Sequence, residues 1–220
     1  MLVGAGVGAQ TAARRTEGAG VGGGFDEGTP TIRLRVRGTA RVYGVVLERR
    51  GQDASRGAVV DALGVPGTRI WDQERWQTEV MATQLGTRPP DLVALAYGTN
   101  ESANQRVPIA EVRERIRRVL RRWKRLAPDA SIALVGPGEW PRRRTNGTYG
   151  PRSRLVDVVE AQRRVAAEEG VEFFDTLTWM GGEGAMVRWV GAGLALDDHV
   201  HFTQAGYDRF GQALLRAMLP

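Results

Sequence analysis

Leu92-Val93-Ala94-Leu95-Ala96-Tyr97, then Gly98-Thr99-Asn100-Glu101, then the stretch from Pro108 to Leu126, then Ser131-Ile132-Ala133-Leu134-Val135: this succession decides the fold. The first and last segments are short apolar runs of strand length, the pattern of strands covered on both faces. Between them Ile109, Val112, Ile116, Val119, Leu120 and Trp123 recur at helical spacing, which makes Pro108 to Leu126 an amphipathic helix. Buried strands separated by helices predict an α/β fold: a three-layer α/β/α sandwich around a mostly parallel sheet.

The same alternation continues outward. Upstream, Ala58 to Leu63 reads as a short apolar strand and Trp71 to Leu85 as a helix, with Trp76, Val80 and Met81 on one side, broken by Pro89-Pro90. Downstream come a helix over Arg152 to Glu169, a strand over Val171 to Phe174, and a last helix that Thr203 caps and that runs to about Met218. Before residue 51 the pattern changes. Ile32, Leu34 and Val36 alternate with Arg33, Arg35 and Arg37, Gly38-Thr39-Ala40 turns the chain, and Val42 to Leu47 follows, so 31–50 reads as a β-hairpin. Residues 1–30 are rich in Gly, Ala and Thr and read as a flexible segment. Gly4-Ala5-Gly6-Val7-Gly8-Ala9 echoes a dinucleotide-binding turn but lacks the strand that must precede one. The expected organisation is therefore 1–30, 31–50 and an α/β domain over 51–220, with no internal repeat.

Composition narrows the function classes. Hydrophobic residues make up 42% of the chain, enough for a real core. There is no cysteine, which excludes disulfides and thiolate metal sites. No apolar run is long enough to span a bilayer, and Met1 to Gln10 lacks the basic flank of a secretory signal. The net charge of +6 raises nucleic-acid binding. However, Arg113, Arg117, Arg118, Arg121, Arg122 and Lys124 share one helix with Glu111 and Glu114, and no aromatic-rich motif accompanies them. A solvated helix face, with no nucleic-acid partner, is the expectation.

In open α/β sheets the chemistry gathers beyond the carboxyl ends of the strands. Three loops there carry unusual residues: Asp61 to Gly67, Tyr97 to Glu101, and Asp198-His199-Val200-His201-Phe202-Thr203. His201 is a candidate general base, and Asp198, three residues away, a candidate partner for its other ring nitrogen. Asn100 offers a side-chain amide, and Gly67 a backbone N–H, to a developing oxyanion. Taken singly, each has a plainer role: Asn100 and Gly67 in turns, Asp198 near the cap of the last helix, His201 as a loop histidine. Both histidines of the chain fall in this one segment.

Together these blocks resemble the SGNH/GDSL hydrolase superfamily. Asp61 to Thr68 is similar to its second block, Gly98-Thr99-Asn100-Glu101 to its third, and Asp198-His199-Val200-His201-Phe202-Thr203 with Gly206-Tyr207 to its fifth. Val42 to Glu48 leading into Val59 to Gly64, and later Met180 to Met186 with Trp189, resemble the branch of peptidoglycan O-acetylesterases. In that branch a β-sandwich accessory domain precedes the second block, and the 31–50 hairpin would be its tail. The resemblance implies a serine esterase with Asp198 and His201 as acid and base and with Gly67 and Asn100 at the oxyanion. It implies no metal or organic cofactor, and as substrate an acylated carbohydrate or small ester, acetyl on a polysaccharide first. It also suggests a periplasmic or extracellular location.

One block departs from the pattern. The Gly-Asp-Ser that carries the family's nucleophile is absent, and Ser55, Ser102, Ser131 and Ser153, the chain's only serines, lack its context. The nucleophile is left unassigned. The missing block also carries an inner strand, so low stability of the chain alone, or a borrowed strand, is expected. Three accounts follow in order: an incomplete chain of an esterase, a pseudoenzyme that binds a glycan or protein partner, and an unrelated nucleotide-binding or basic nucleic-acid protein. The oligomeric state is not legible.

Overall fold

The computed structural model describes residues 59–218. The expectations for 1–30, for the 31–50 hairpin and for Ser55 lie outside these residues. The α/β unit begins at Val65, and residues 59–64 belong to a separate unit.

Three parallel strands form the sheet: β1 (Leu92–Ala96), β2 (Ser131–Val135) and, later in the chain, Glu172–Phe174. Their order puts β2 in the middle, with Leu92 opposite Ser131 and Val135 opposite Phe174. Before β1 come a 3₁₀ turn, Ile70–Arg75, and α1 (Thr78–Thr87). Between β1 and β2 lie α2 (Thr99–Ala103) and α3 (Ile109–Leu126). A small antiparallel hairpin, β3 (Arg142–Arg143) and β4 (Tyr149–Gly150), precedes α4 (Ser153–Glu169). The strand Glu172–Phe174 is β5, followed by α5 (Thr176–Met180), α6 (Ala185–Gly191) and α7 (Gln204–Met218).

The pleat sorts side chains onto two faces. Val93, Leu95, Ile132 and Leu134 point to one, where they bury Val112, Ile116, Val119, Leu120 and Trp123 of α3 and Val165 and Ala166 of α4. Ala133, Val135 and Phe174 point to the other. There Phe174 meets Trp179 of α5 and Phe210 of α7, each with ring centroids 6.0 Å apart. Helices thus cover both faces of a parallel sheet, the α/β sandwich read from the sequence. A second cluster, around Met180, Ala185, Met186 and Trp189, holds α5 and α6 together.

Two elements depart from the sequence reading. Residues 59–63 form no strand, and Val59, Val60 and Leu63 are exposed. A strand exists only where its N–H and C=O groups find a ladder, and no described residue offers one. The helix expected over Trp71 to Leu85 is broken, with Trp76 extended at ψ 136°. Tertiary contacts capture its backbone: the Arg122 guanidinium donates to the carbonyls of Gln73 and Trp76, and Trp123 Nε1 donates to Gln73 Oε1 at 2.7 Å. Val80, expected on the packed side, is exposed, while Trp76, Met81 and Leu85 lean on the core.

Candidate active site

Beyond the carboxyl ends of β1 and β2 opens a cavity of about 240 Å³. Ala96 and Tyr97 line it from the end of β1 and the residue after it, Val135 to Trp140 from the end of β2 and the loop that follows, and Tyr207 and Phe210 from α7. Thr99, Val200 and Phe202, the chain neighbours of Asn100 and His201, also line it.

The loop before α7 is tightly built. Ala195 and Phe202 form an antiparallel bridge, and Leu196 N donates to the His201 carbonyl at 2.8 Å. His199 sits in the left-handed region at φ 56°, a conformation costly for a non-glycine residue. That reversal folds the chain around Asp198. Its Oδ1 accepts from Val200 N at 2.9 Å and from His201 N at 3.0 Å, while Oδ2 meets His201 Nδ1 at 2.6 Å. Partial burial acts to raise the Asp198 pKa, but the hydrogen bonds from His201 and Val200 and the imidazolium charge outweigh it and hold the carboxyl down at about 2. With Nδ1 engaged, the imidazole is oriented and Nε2 is left for other chemistry. The His201 side chain is 64% exposed.

Gly67 and Asn100 are joined at a second place. Val65 to Thr68 form a turn closed by Thr68 N on the Val65 carbonyl, with Pro66 inside it and Gly67 at φ 77°. Asn100 Nδ2 donates to the Thr68 carbonyl at 3.0 Å, which fixes the amide against that turn. The second Nδ2 hydrogen and the Gly67 N–H have no acceptor among the described residues.

Glu101 locks this corner. It is 1% exposed and reaches across the chain: Oε1 accepts from Ile70 N at 2.7 Å and Oε2 from Gly98 N at 2.9 Å. Burial raises its pKa, against the lowering effect of those N–H groups and of Arg69. Gly98 itself must be glycine. A Cβ there would lie 2.5 Å from Pro137 Cδ, and φ is 129°. Glu101 was read in the third block without a role; the signal that marks it is its place three residues after Gly98, where an acid can accept the N-cap N–H. Glu139 is a second unread brace, 4% exposed, accepting from Gly184 N and Met186 N at 2.6 Å each. Nothing local in the sequence announces that contact.

The serines do not complete the arrangement. Ser102 is fully buried, with Oγ donating to the Thr99 carbonyl at 2.7 Å. Ser131 opens β2 at the end of the sheet away from the cavity, and Ser153 opens α4. Among the described residues no hydroxyl hydrogen-bonds His201.

The fold and the two motifs define a class: an open parallel-sheet protein of hydrolytic type, with an Asp–His pair in the loop before α7 and the Asn100 amide in the turn after β1. The family model described as GDSL-like lipase/acylhydrolase matches residues 15–209, and the chain belongs to that family. Among solved structures, a peptidoglycan O-acetylesterase is 31% identical with a TM-score of 0.65, covering 71% of this chain and 45% of its own. An acetylxylan esterase from Geobacillus stearothermophilus is 22% identical with a TM-score of 0.50, covering 70% and 69%. Another acetyl xylan esterase is 14% identical with a TM-score of 0.54, covering 71% and 79%; these last two share the fold. The chain thus spans less than half the length of the peptidoglycan O-acetylesterase. No curated protein matches. Family membership sets aside the unrelated nucleotide-binding or nucleic-acid account.

Proposed function

We propose that this chain acts in hydrolysis of ester-linked acyl groups on a carbohydrate, acetyl first among them. His201 is the general base, Asp198 its orienting acid, and Asn100 Nδ2 and the Gly67 N–H the oxyanion donors. The observation that carries this reading is the 2.6 Å contact between Asp198 Oδ2 and His201 Nδ1, built by a loop that places His199 at positive φ. His201 Nε2 takes the proton of an attacking serine hydroxyl, and the ester carbonyl becomes tetrahedral. The amides hold the oxyanion. The imidazolium returns its proton to the departing sugar oxygen, and water releases the acyl group by the same path. No step calls for a metal or organic cofactor. The carbohydrate substrate is supported by what the similar structures are named for, peptidoglycan and xylan esters. A polymer of the cell exterior goes with a periplasmic or extracellular location.

A second reading has its own support. No described serine reaches His201, so a pseudoenzyme that binds a glycan or protein partner without turnover fits the same cleft. Two measurements on the purified chain separate them: hydrolysis of p-nitrophenyl acetate, and labelling by a fluorophosphonate followed by peptide mass spectrometry. Turnover that falls by about 100-fold or more in His201→Ala, with one serine labelled, supports the esterase. Absence of both turnover and label in a folded chain rejects it for the pseudoenzyme.

A further inference from the structure

Among the described residues, some arginines are answered by a carboxylate and others are not. Several on the helices are paired. Arg117 pairs with Glu114 and Glu168, Arg121 with Glu169, Arg118 with Glu74, Arg163 with Asp175, and Arg164 with Glu160. Those of the β3–β4 hairpin are not. Among the described residues, no carboxylate lies within ion-pair distance of Arg142, Arg143, Arg144 or, just beyond the hairpin, Arg152.

The hairpin that carries them stands beside the Asp198–His201 loop. Tyr149 of β4 stacks on His199, ring centroids 3.8 Å apart and 19° from parallel, so the hairpin is docked on that loop. The Arg152 guanidinium lies 4.1 Å over the Trp140 ring, its Nε donates to the Trp140 carbonyl at 3.2 Å, and Trp140 lines the main cavity. A second cavity of about 120 Å³ is lined by Arg144, Tyr149, Glu183 and Glu139, and Glu139 also lines the first. Burial, and then the charge of Arg142, lower the Arg152 pKa. Those neighbouring cations repel, and an anion placed between them relieves the repulsion.

We propose that the β3–β4 hairpin, with Arg142, Arg143, Arg144 and Arg152, binds a carboxylate-bearing glycan and lays that polymer along the second cavity so that its acyl group enters the first. The inference deepens the carbohydrate esterase reading and rests on it. The planar guanidinium matches a carboxylate through paired N–H donors. Sugar hydroxyls suit a cavity that mixes Arg144 with Glu183 and Glu139. A polyphosphate backbone does not: both acids oppose its charge density, and one face each of Trp140 and Tyr149 is already covered, which leaves little stacking platform for bases.

The test is isothermal titration of the full chain, at low salt, with tetragalacturonate and with neutral xylotetraose. The expected result is binding of the charged oligosaccharide about tenfold or more tighter than the neutral one, from a few exposed charge pairs, and weakening with added salt. R142Q/R143Q/R144Q removes that preference, while R106Q/R113Q/R125Q, an equal loss of charge elsewhere, keeps it. If the triple variant is unfolded by circular dichroism, Arg144→Gln alone must reduce the preference. Equal affinity for the two oligosaccharides, equal loss in both triple variants, or tighter binding of a single-stranded DNA oligomer overturns the proposal. Hydrolysis of p-nitrophenyl acetate in the same preparation keeps the readings apart. Charged-glycan preference with neither turnover nor fluorophosphonate label rejects the esterase reading, and with it the delivery of an acyl group, while the hairpin keeps its carboxylate-binding role; turnover without that preference keeps the esterase and overturns this proposal.

Discussion

At the scale of single residues, two carboxylates behave oppositely because their surroundings differ. Asp198 is 45% exposed and hydrogen-bonded on both oxygens, and its pKa is lowered from the usual 3.8 to about 2. A folded-state value below the unfolded one stabilises the fold above about pH 4, and this is lost as pH falls through 2. Solvent screening limits the contribution to less than about 1 kcal/mol. The melting-temperature gap between wild type and Asp198→Asn is therefore expected to be small at pH 6 and to close near pH 2; a gap that widens in acid contradicts the assignment. Glu101 is buried, its pKa is raised, and its ionised form weighs against folding as pH rises through that value. It persists because two separate N–H groups need its two oxygens. Glu101→Gln keeps the shape but turns an NH₂ toward one of those donors. A loss of about 1–3 kcal/mol in urea unfolding is expected, and an unchanged midpoint removes the brace from the account of the site. The Asp198–His201 pair was legible because its members are three residues apart on one loop. Glu101 to Ile70 spans 31 positions, and Glu139 to Met186 spans 47, so only the fold reveals those contacts.

At the scale of elements, what was legible is what local periodicity dictates. The helix α3 was read because its apolar stripe is strict, and β1 and β2 because they are apolar runs bounded by turns or prolines. The segment 59–63 is as apolar as β2, with four apolar residues in five, and forms no strand, since pairing is a property of the neighbour and not of the run. The β3–β4 hairpin escaped the reading because its strands are two residues long, too short for any period to show. The placement of α7 follows from one contact that sequence hints at only through Gly206. A Cβ there would lie 2.0 Å from the Leu194 carbonyl oxygen and 3.0 Å from Phe202 Cβ. Thr203 anchors the same junction, accepting from Gly206 N and donating to the Gly193 carbonyl at 2.8 Å. Gly206→Ala must push α7 off the Asp198–His201 loop, carrying Tyr207 and Phe210 away from the cavity. Destabilisation of about 1–3 kcal/mol is expected, together with an increase in KM for ester substrates, and retention of both wild-type values would show that the helix sits farther away.

At the scale of the whole α/β unit, burial is uneven, and the unevenness has a thermodynamic consequence. The middle strand β2 is closed on both faces, with Ala133 at 3%, Leu134 at 0% and Val135 at 2% exposure. The outer strand β1 is closed on one face only: Val93 and Leu95 are buried, whereas Leu92, Ala94 and Ala96 are exposed. Among the described residues β1 has a ladder partner only in β2. The helix α7 is amphipathic, yet Gly206 is its only buried residue, and Tyr207 and Leu215 remain open. Apolar area left in water forgoes roughly 25 cal/mol per Å² of stabilisation, and a half-covered outer strand invites association. Thermal unfolding followed by circular dichroism is therefore expected at or below the low end of the roughly 45–65 °C range of ordinary domains. Binding of a hydrophobic dye before the transition and a dependence of the melt on protein concentration should accompany it. Lysine placed on the open face, as Ala94→Lys, should suppress the concentration dependence without lowering the transition, because that side chain displaces no core neighbour. A sharp transition above that range in a monomer that takes up no dye would mean that the face is covered in solution, and the low-stability expectation would fall with it.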